Sequence, residues 1–199
     1  MRLGAALAAL ALGVTAAAAT PSRCRCLAGD PCWDSVPWDA LNTSVQGRLL
    51  RLDGPASFSA CAANGADDDR GRSNDDCAAQ LANSDNEHWL SSRADGYLHV
   101  GQYGAWNISS RGELGGGLSS FAVAAETEQD MQLTVAFALR HNLRLVVKGT
   151  GHDWYGRSSA GGSLMLWTHK RKAISFHDAL DHNTGQPVPA VSVQTGVQV

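Results

Sequence analysis

Beyond residue 19, the 199-residue sequence has no apolar run approaching the ~20 residues that a membrane-spanning helix needs. It has no dense basic patch either. The 16 Lys and Arg stand against 19 Asp and Glu, a formal net charge of −3. The short run THKRK, residues 168–172, reads as a solvated turn. Nucleic acid is therefore excluded as a partner. His169, His177 and His182 do not share a metal-like spacing and read as surface positions, so no metal site is expected. The acidic loop NGADDDRGRSNDDC, residues 64–77, places Asp67, Asp69 and Gly71 partly in EF-hand order. Its glycine comes one position early and the closing glutamate is missing, which leaves a solvated loop rather than a calcium site. Cysteine is absent after Cys77.

What is present begins with a targeting signal. Arg2, the apolar LGAALAALALGV and the small residues TAAAAT form a secretory signal peptide over residues 1–19, which predicts a secreted, extracellular protein with no membrane attachment after cleavage. An oxidising compartment makes Cys24, Cys26, Cys32, Cys61 and Cys77 disulfide candidates; their connectivity stays open, and five leaves one without a partner. The sequons at Asn42 and Asn107 predict glycosylation on exposed loops.

Three regions follow from the pattern: the signal peptide, a cysteine-containing region over 20–117, and a second unit over 118–199. Residues 20–34 read as an extended, cysteine-pinned segment. Trp38, Leu41 and Val45 recur at helical spacing, and RLLRL, Arg48 to Leu52, has strand character. The glycine cluster at 115–117 reads as a linker. From Phe121 the pattern sharpens. FAVAA is an apolar strand, Thr127 an N-cap with Asp130 in the capping-box position, and Met131, Val135, Ala138 and Leu139 mark a helix face. LRLVV, Leu143 to Val147, is a second apolar strand. Strand, helix, strand with short connections predicts a βαβ unit whose two strands are parallel neighbours. SLMLW (163–167), AISFHD and the alternating PAVSVQTGVQV read as further strands, the last half-buried. The end inside a sheet pattern predicts that this is the amino-terminal part of a longer protein.

The second strand runs into KGTGHDWYGRSS, Lys148 to Ser159, at the carboxyl end where open α/β sheets bind ligands. On these residues the chain resembles the start of the FAD-binding domain of the vanillyl-alcohol oxidase, or PCMH-type, flavoprotein superfamily, nearest to berberine-bridge-enzyme-like oxidases. The matching features are the strand, the helix opened by a threonine and acidic residues, the second strand, and the loop Gly149-Thr150-Gly151-His152-Asp153 followed by Gly156 and Ser158. CRCLAGDPCW resembles secreted fungal members.

The resemblance implies an α+β fold: the first βαβ-containing subdomain of a PCMH-type domain, incomplete here, preceded by a disulfide-pinned segment. It implies FAD held by Gly149, Thr150, Gly151, Asp153, Gly156 and Ser158, with His152 as the covalent attachment residue. Backbone amides in such a glycine-rich turn form an anion-binding nest. Asp153 would hold the loop or orient the imidazole; Trp154 and Tyr155 read as packing residues. The activity implied is a FAD-dependent oxidase passing a hydride from an alcohol, sugar or similar small molecule to flavin and on to molecular oxygen. No catalytic residue is expected within this stretch, because substrate base and pocket come from later parts of such chains. The competing classes are a secreted, disulfide-bonded carbohydrate-binding module, which six tryptophans and three tyrosines would suit, and an inactive truncated flavoprotein. Substrate and oligomeric state are not encoded in any motif.

Overall fold

The structure is a computed structural model that describes residues 24–52, 78, 82–83, 86–96, 119–153, 156–181, 183 and 185–198. The signal peptide, Cys61, Cys77, the acidic loop with Asp67, Asp69 and Gly71, Asn107, the glycine cluster at 115–117, Trp154, Tyr155 and His182 lie outside the described residues. No helix among the described residues is long and apolar enough to cross a membrane.

The described elements are α1 (Pro31–Asp34), α2 (Trp38–Ser44), β1 (Leu49–Arg51), α3 (Glu87–Ser91), β2 (Phe121–Ala124), α4 (Glu128–Arg140), β3 (Leu145–Lys148), β4 (Leu164–Trp167), β5 (Ile174–Leu180) and β6 (Val188–Val193). The segment expected to be extended over 20–34 thus contains a short helix. Pro31 opens it, a position where the missing amide hydrogen costs nothing.

Helix α4 shows why the local pattern was readable. Thr127 Oγ1 accepts from the Asp130 amide at 3.1 Å, and Asp130 Oδ2 accepts from the Thr127 amide at 2.9 Å and the Glu126 amide at 3.0 Å. Reciprocal capping satisfies donors that the first turn leaves unpaired. The helix ends at Asn142, whose φ of 53° lies in the left-handed region. The Leu143 amide donates to Ala138 O at 2.8 Å and the Asn142 amide to Leu139 O at 3.2 Å, the paired bonds of a Schellman ending. Asn142 does what glycine usually does there and adds side-chain bonds. Its Nδ2 donates to Cys24 O at 2.8 Å, and its Oδ1 accepts from Arg25 Nη1 at 3.1 Å. Its main-chain oxygen accepts from the Cys26 amide at 2.9 Å. The amino-terminal segment, closed by a Cys26–Cys32 disulfide, is thereby sewn to the end of α4.

Four strands form one sheet in the order β1-β2-β4-β3. β1 is antiparallel to β2, while β2 and β3 each run parallel to β4. This corrects the expectation that β2 and β3 are neighbours: β4 lies between them. The reason is burial. Leu164, Met165, Leu166 and Trp167 are all buried, so β4 is apolar on both faces and takes an interior position. β3 leaves Val147 57% exposed and takes the edge.

Alternate residues feed two cores. Phe121, Val123, Leu164 and Leu145 face Trp33, Trp38, Leu41, Val45, Phe137 and Ala138. Ala122, Ala124, Met165, Trp167 and Val146 face Leu52 and Ala94. Trp38 stacks on Phe121 with centroids 4.3 Å apart, so the segments on either side of residue 118 share a core. β5 and β6 form a separate two-stranded antiparallel sheet. There the half-burial expected of β6 fails: Val188, Val191 and Val193 are exposed, as are Ile174 and Phe176 on β5.

Candidate functional site

The carboxyl ends of β3 and β4 lie side by side, with Lys148 paired to Trp167. The Lys148 carbonyl accepts from the Thr168 amide at 2.8 Å and from Thr168 Oγ1 at 3.2 Å. Past this junction the chain releases the loop 149–153 from β3 and the segment 168–169 from β4.

Loop geometry comes first from packing. A Cβ on Gly149 would meet Thr195 O at 3.0 Å. Gly151 has φ 87°, and a Cβ there would meet Lys148 Cε at 2.9 Å. Gly149 is thus favoured by a close approach of the main chain, and Gly151 by its left-handed backbone together with the packing of Lys148 against it. Gly156, at φ 73°, meets nothing close among the described residues and is favoured by its backbone conformation. Thr150 is half-buried and His152 exposed. Asp153 closes the loop onto Arg157: its Oδ2 accepts from the Arg157 amide at 2.5 Å, and its Oδ1 accepts from Nε at 3.0 Å and Nη2 at 2.5 Å. Of the two roles expected for Asp153, this contact serves the holding of the loop. The motif does not stay in one place. Ser159, next to the half-buried Ser158, accepts from the Ser119 amide at 3.1 Å just before β2 begins. Ser158 therefore lies toward the amino ends of the strands, while Gly149 and Gly151 pack at the carboxyl ends and Asp153 with Arg157 spans the turn between.

Two neighbours were missed in the sequence. Lys148 is completely buried, and its Nζ donates to Arg93 O at 2.7 Å, to Ala94 O at 3.0 Å and to Gly96 O. Burial pushes its pKa down to about 7, with Asp95 acting the other way. The available signal was a lysine closing an otherwise apolar strand. His169, expected at the surface within a solvated turn, is buried at 3% exposure, and Thr168 is buried beside it. Its ring stacks parallel to Trp167 at 5.6 Å. Packing under residue 196 explains the burial: a Cβ on Gly196 would meet His169 O at 2.0 Å, so the terminal segment lies directly on it. Burial, followed by Lys172, Lys148 and Lys170, brings the His169 pKa down to about 4. Its Nδ1 and the Trp167 Nε1 are buried without a hydrogen-bond partner among the described residues.

Other sequence candidates fall elsewhere. Asn42 sits within α2, half-buried, and its Oδ1 accepts from the Leu49 amide at 3.2 Å, so it does not lie on an exposed loop. Cys26 and Cys32 pair with each other. His177 is half-buried and lies 2.9 Å from Ser192 Oγ. Of the described tryptophans, Trp33 and Trp167 are buried and Trp38 and Trp89 half-buried.

A glycine-bearing, histidine-tipped loop at the carboxyl end of a parallel strand suits a phosphate-bearing cofactor. Superposition on the crystal structure of the VAO-type flavoprotein MtVAO713 from Myceliophthora thermophila gives a TM-score of 0.66 at 30% identity, over 86% of this chain and 31% of that one. MtVAO615 from the same fungus gives 0.66 at 24% identity, over 87% of this chain, a likeness of fold. No family model matches the sequence. Among curated proteins, the FAD-linked oxidoreductase ZEB1 of Gibberella zeae is 37% identical over 191 residues, covering 90% of this chain and 31% of the relative. The FAD-linked oxidoreductase easE of Claviceps fusiformis is 35% identical, covering 98% of this chain and 35% of the relative. The chain thus spans about a third of the length of the curated relatives it matches. The resemblance read from the sequence is shown: over most of its length the chain is similar to FAD-linked oxidoreductases and has the fold of part of a VAO-type flavoprotein.

Proposed function

We propose that this chain is the FAD-holding portion of a secreted oxidase, with His152 as the point of covalent attachment. The observation that carries the reading is the placement of Gly149 to His152 at the carboxyl end of a parallel strand, within a fold shared with VAO-type flavoproteins. The backbone of Gly149 to Gly151 and the Thr150 hydroxyl would hold the phosphates or ribose, and Asp153 with Arg157 keeps the loop closed. The exposed His152 ring offers a nitrogen that is nucleophilic when neutral. Bound flavin supplies hydride acceptance from a substrate C–H bond and electron transfer to dioxygen. The substrate is a small molecule such as an alcohol or sugar. Its pocket and base belong to parts of a longer chain, and this stretch alone is inactive. The amino-terminal signal pattern supports secretion, and secretion in turn suits the Cys26–Cys32 disulfide.

The test is acid denaturation of the secreted protein, followed by an absorbance spectrum and the mass of the His152 peptide, with the longest available gene product beside it. Flavin mass retained on that peptide is the expected result. No flavin on either protein after denaturation sinks the covalent attachment, and none before it sinks the flavoprotein reading.

A further inference from the structure

Lys148 is a cation that the proposed chemistry does not use, buried where a neutral residue would be cheaper. An ammonium has three protons and no acceptor. Here three main-chain carbonyls, those of Arg93, Ala94 and Gly96, receive bonds from Nζ. All three belong to the turn that follows α3, more than fifty positions away in sequence. The same side chain forms the surface on which the loop rests, because Gly151 lies so close that a Cβ would meet Lys148 Cε at 2.9 Å. The turn is itself wedged: a Cβ on Gly96 would meet Leu90 O at 2.2 Å. α3, the turn, the lysine and the loop therefore form one continuous stack.

We propose that Lys148 is a positioning residue that ties the Arg93–Gly96 turn to the loop Gly149–Asp153 and so fixes where that loop presents its backbone. The inference rests on the reading of that loop as the cofactor loop, and deepens it. Among the described residues, the charged groups facing Nζ are Asp95 and Arg93 on the turn, themselves paired at 3.0 Å, and His169 past β4; the Trp167 ring lies 5.9 Å away.

The test is hydrogen exchange on the whole chain, comparing wild type with Lys148→Met, which keeps the stem and removes the donors. Exchange at 93–96 and at 149–153 is expected to quicken about tenfold in both segments together, with α4 unchanged. Unchanged exchange in either segment overturns the tether. If Lys148→Met fails to fold, Gly151→Ala decides. Pressing a methyl against Lys148 should quicken exchange at 93–96, and an effect confined to 149–153 overturns the proposal. Neither readout needs bound flavin, so the tether fails or survives separately from the proposed function.

Discussion

Arg48 Nη2 donates to Asp130 Oδ1 at 2.7 Å, joining the residue before β1 to the first turn of α4, 82 positions later. Burial alone would raise the Asp130 carboxyl. The Arg48 guanidinium and the Thr127 and Glu126 amides outweigh it and bring the pKa down to about 2. A carboxylate held below its ordinary 3.8 contributes stability above that value and loses it as pH falls toward about 2. Urea midpoints measured from pH 5 to pH 2 should fall across that window in the wild type. In Asp130→Asn the curve should start lower and slope less there.

The Thr127 cap can be removed without touching the Arg48 contact. Thr127→Ala should cost about 1 kcal/mol, and Thr127→Ser, which keeps the hydroxyl, next to nothing. Denaturant unfolding of both variants measures the difference; equal values for the two would show that the hydroxyl at the cap carries nothing.

Asn142 combines a left-handed backbone with bonds to Cys24 and Arg25. Asn142→Gly keeps the backbone freely and loses the side-chain bonds. Asn142→Ala loses the bonds and adds a strain of about 1–2 kcal/mol. Unfolding free energies should rank wild type, glycine, alanine. An alanine variant as stable as the glycine one would contradict the left-handed ending.

His169 titrates near 4 instead of its ordinary 6.5 because the folded state buries it. The unfolded chain binds the proton first as pH falls, so the stability tied to a neutral His169 is present above about 6.5 and lost toward 4. The imidazole proton shifts, followed by NMR from pH 7 to pH 3.5, check this directly. A midpoint near 6.5 would place the ring in water and remove the packing under Gly196.

The sequence alone determined what depends on a few neighbouring residues. Thr127 with Asp130 set the start of α4, and the apolar runs beginning at 121, 143 and 163 set three strands. The Gly149–Asp153 loop and its departure from a strand end were legible for the same reason. The apolar face read from Met131, Val135, Ala138 and Leu139 is not the buried one: Val135 is 46% and Leu139 73% exposed, and it is Leu133, Phe137 and Ala138 that pack into the core. What only the tertiary structure decided depends on partners far away in the chain. β4 separates β2 from β3 because it is buried on both faces, which a run of apolar letters does not distinguish from a half-buried strand. Lys148 and His169 look like surface residues until the turn at 93–96 and the segment at 195–196 close over them, supplying carbonyls and covering atoms that no local pattern announces. Of the five cysteines, the pairing of Cys26 with Cys32 follows from the short helix at Pro31, which brings their Cα atoms to 6.1 Å. Periodicity encodes what a segment is; the place it takes is set by which other segments bury its faces and satisfy its polar groups.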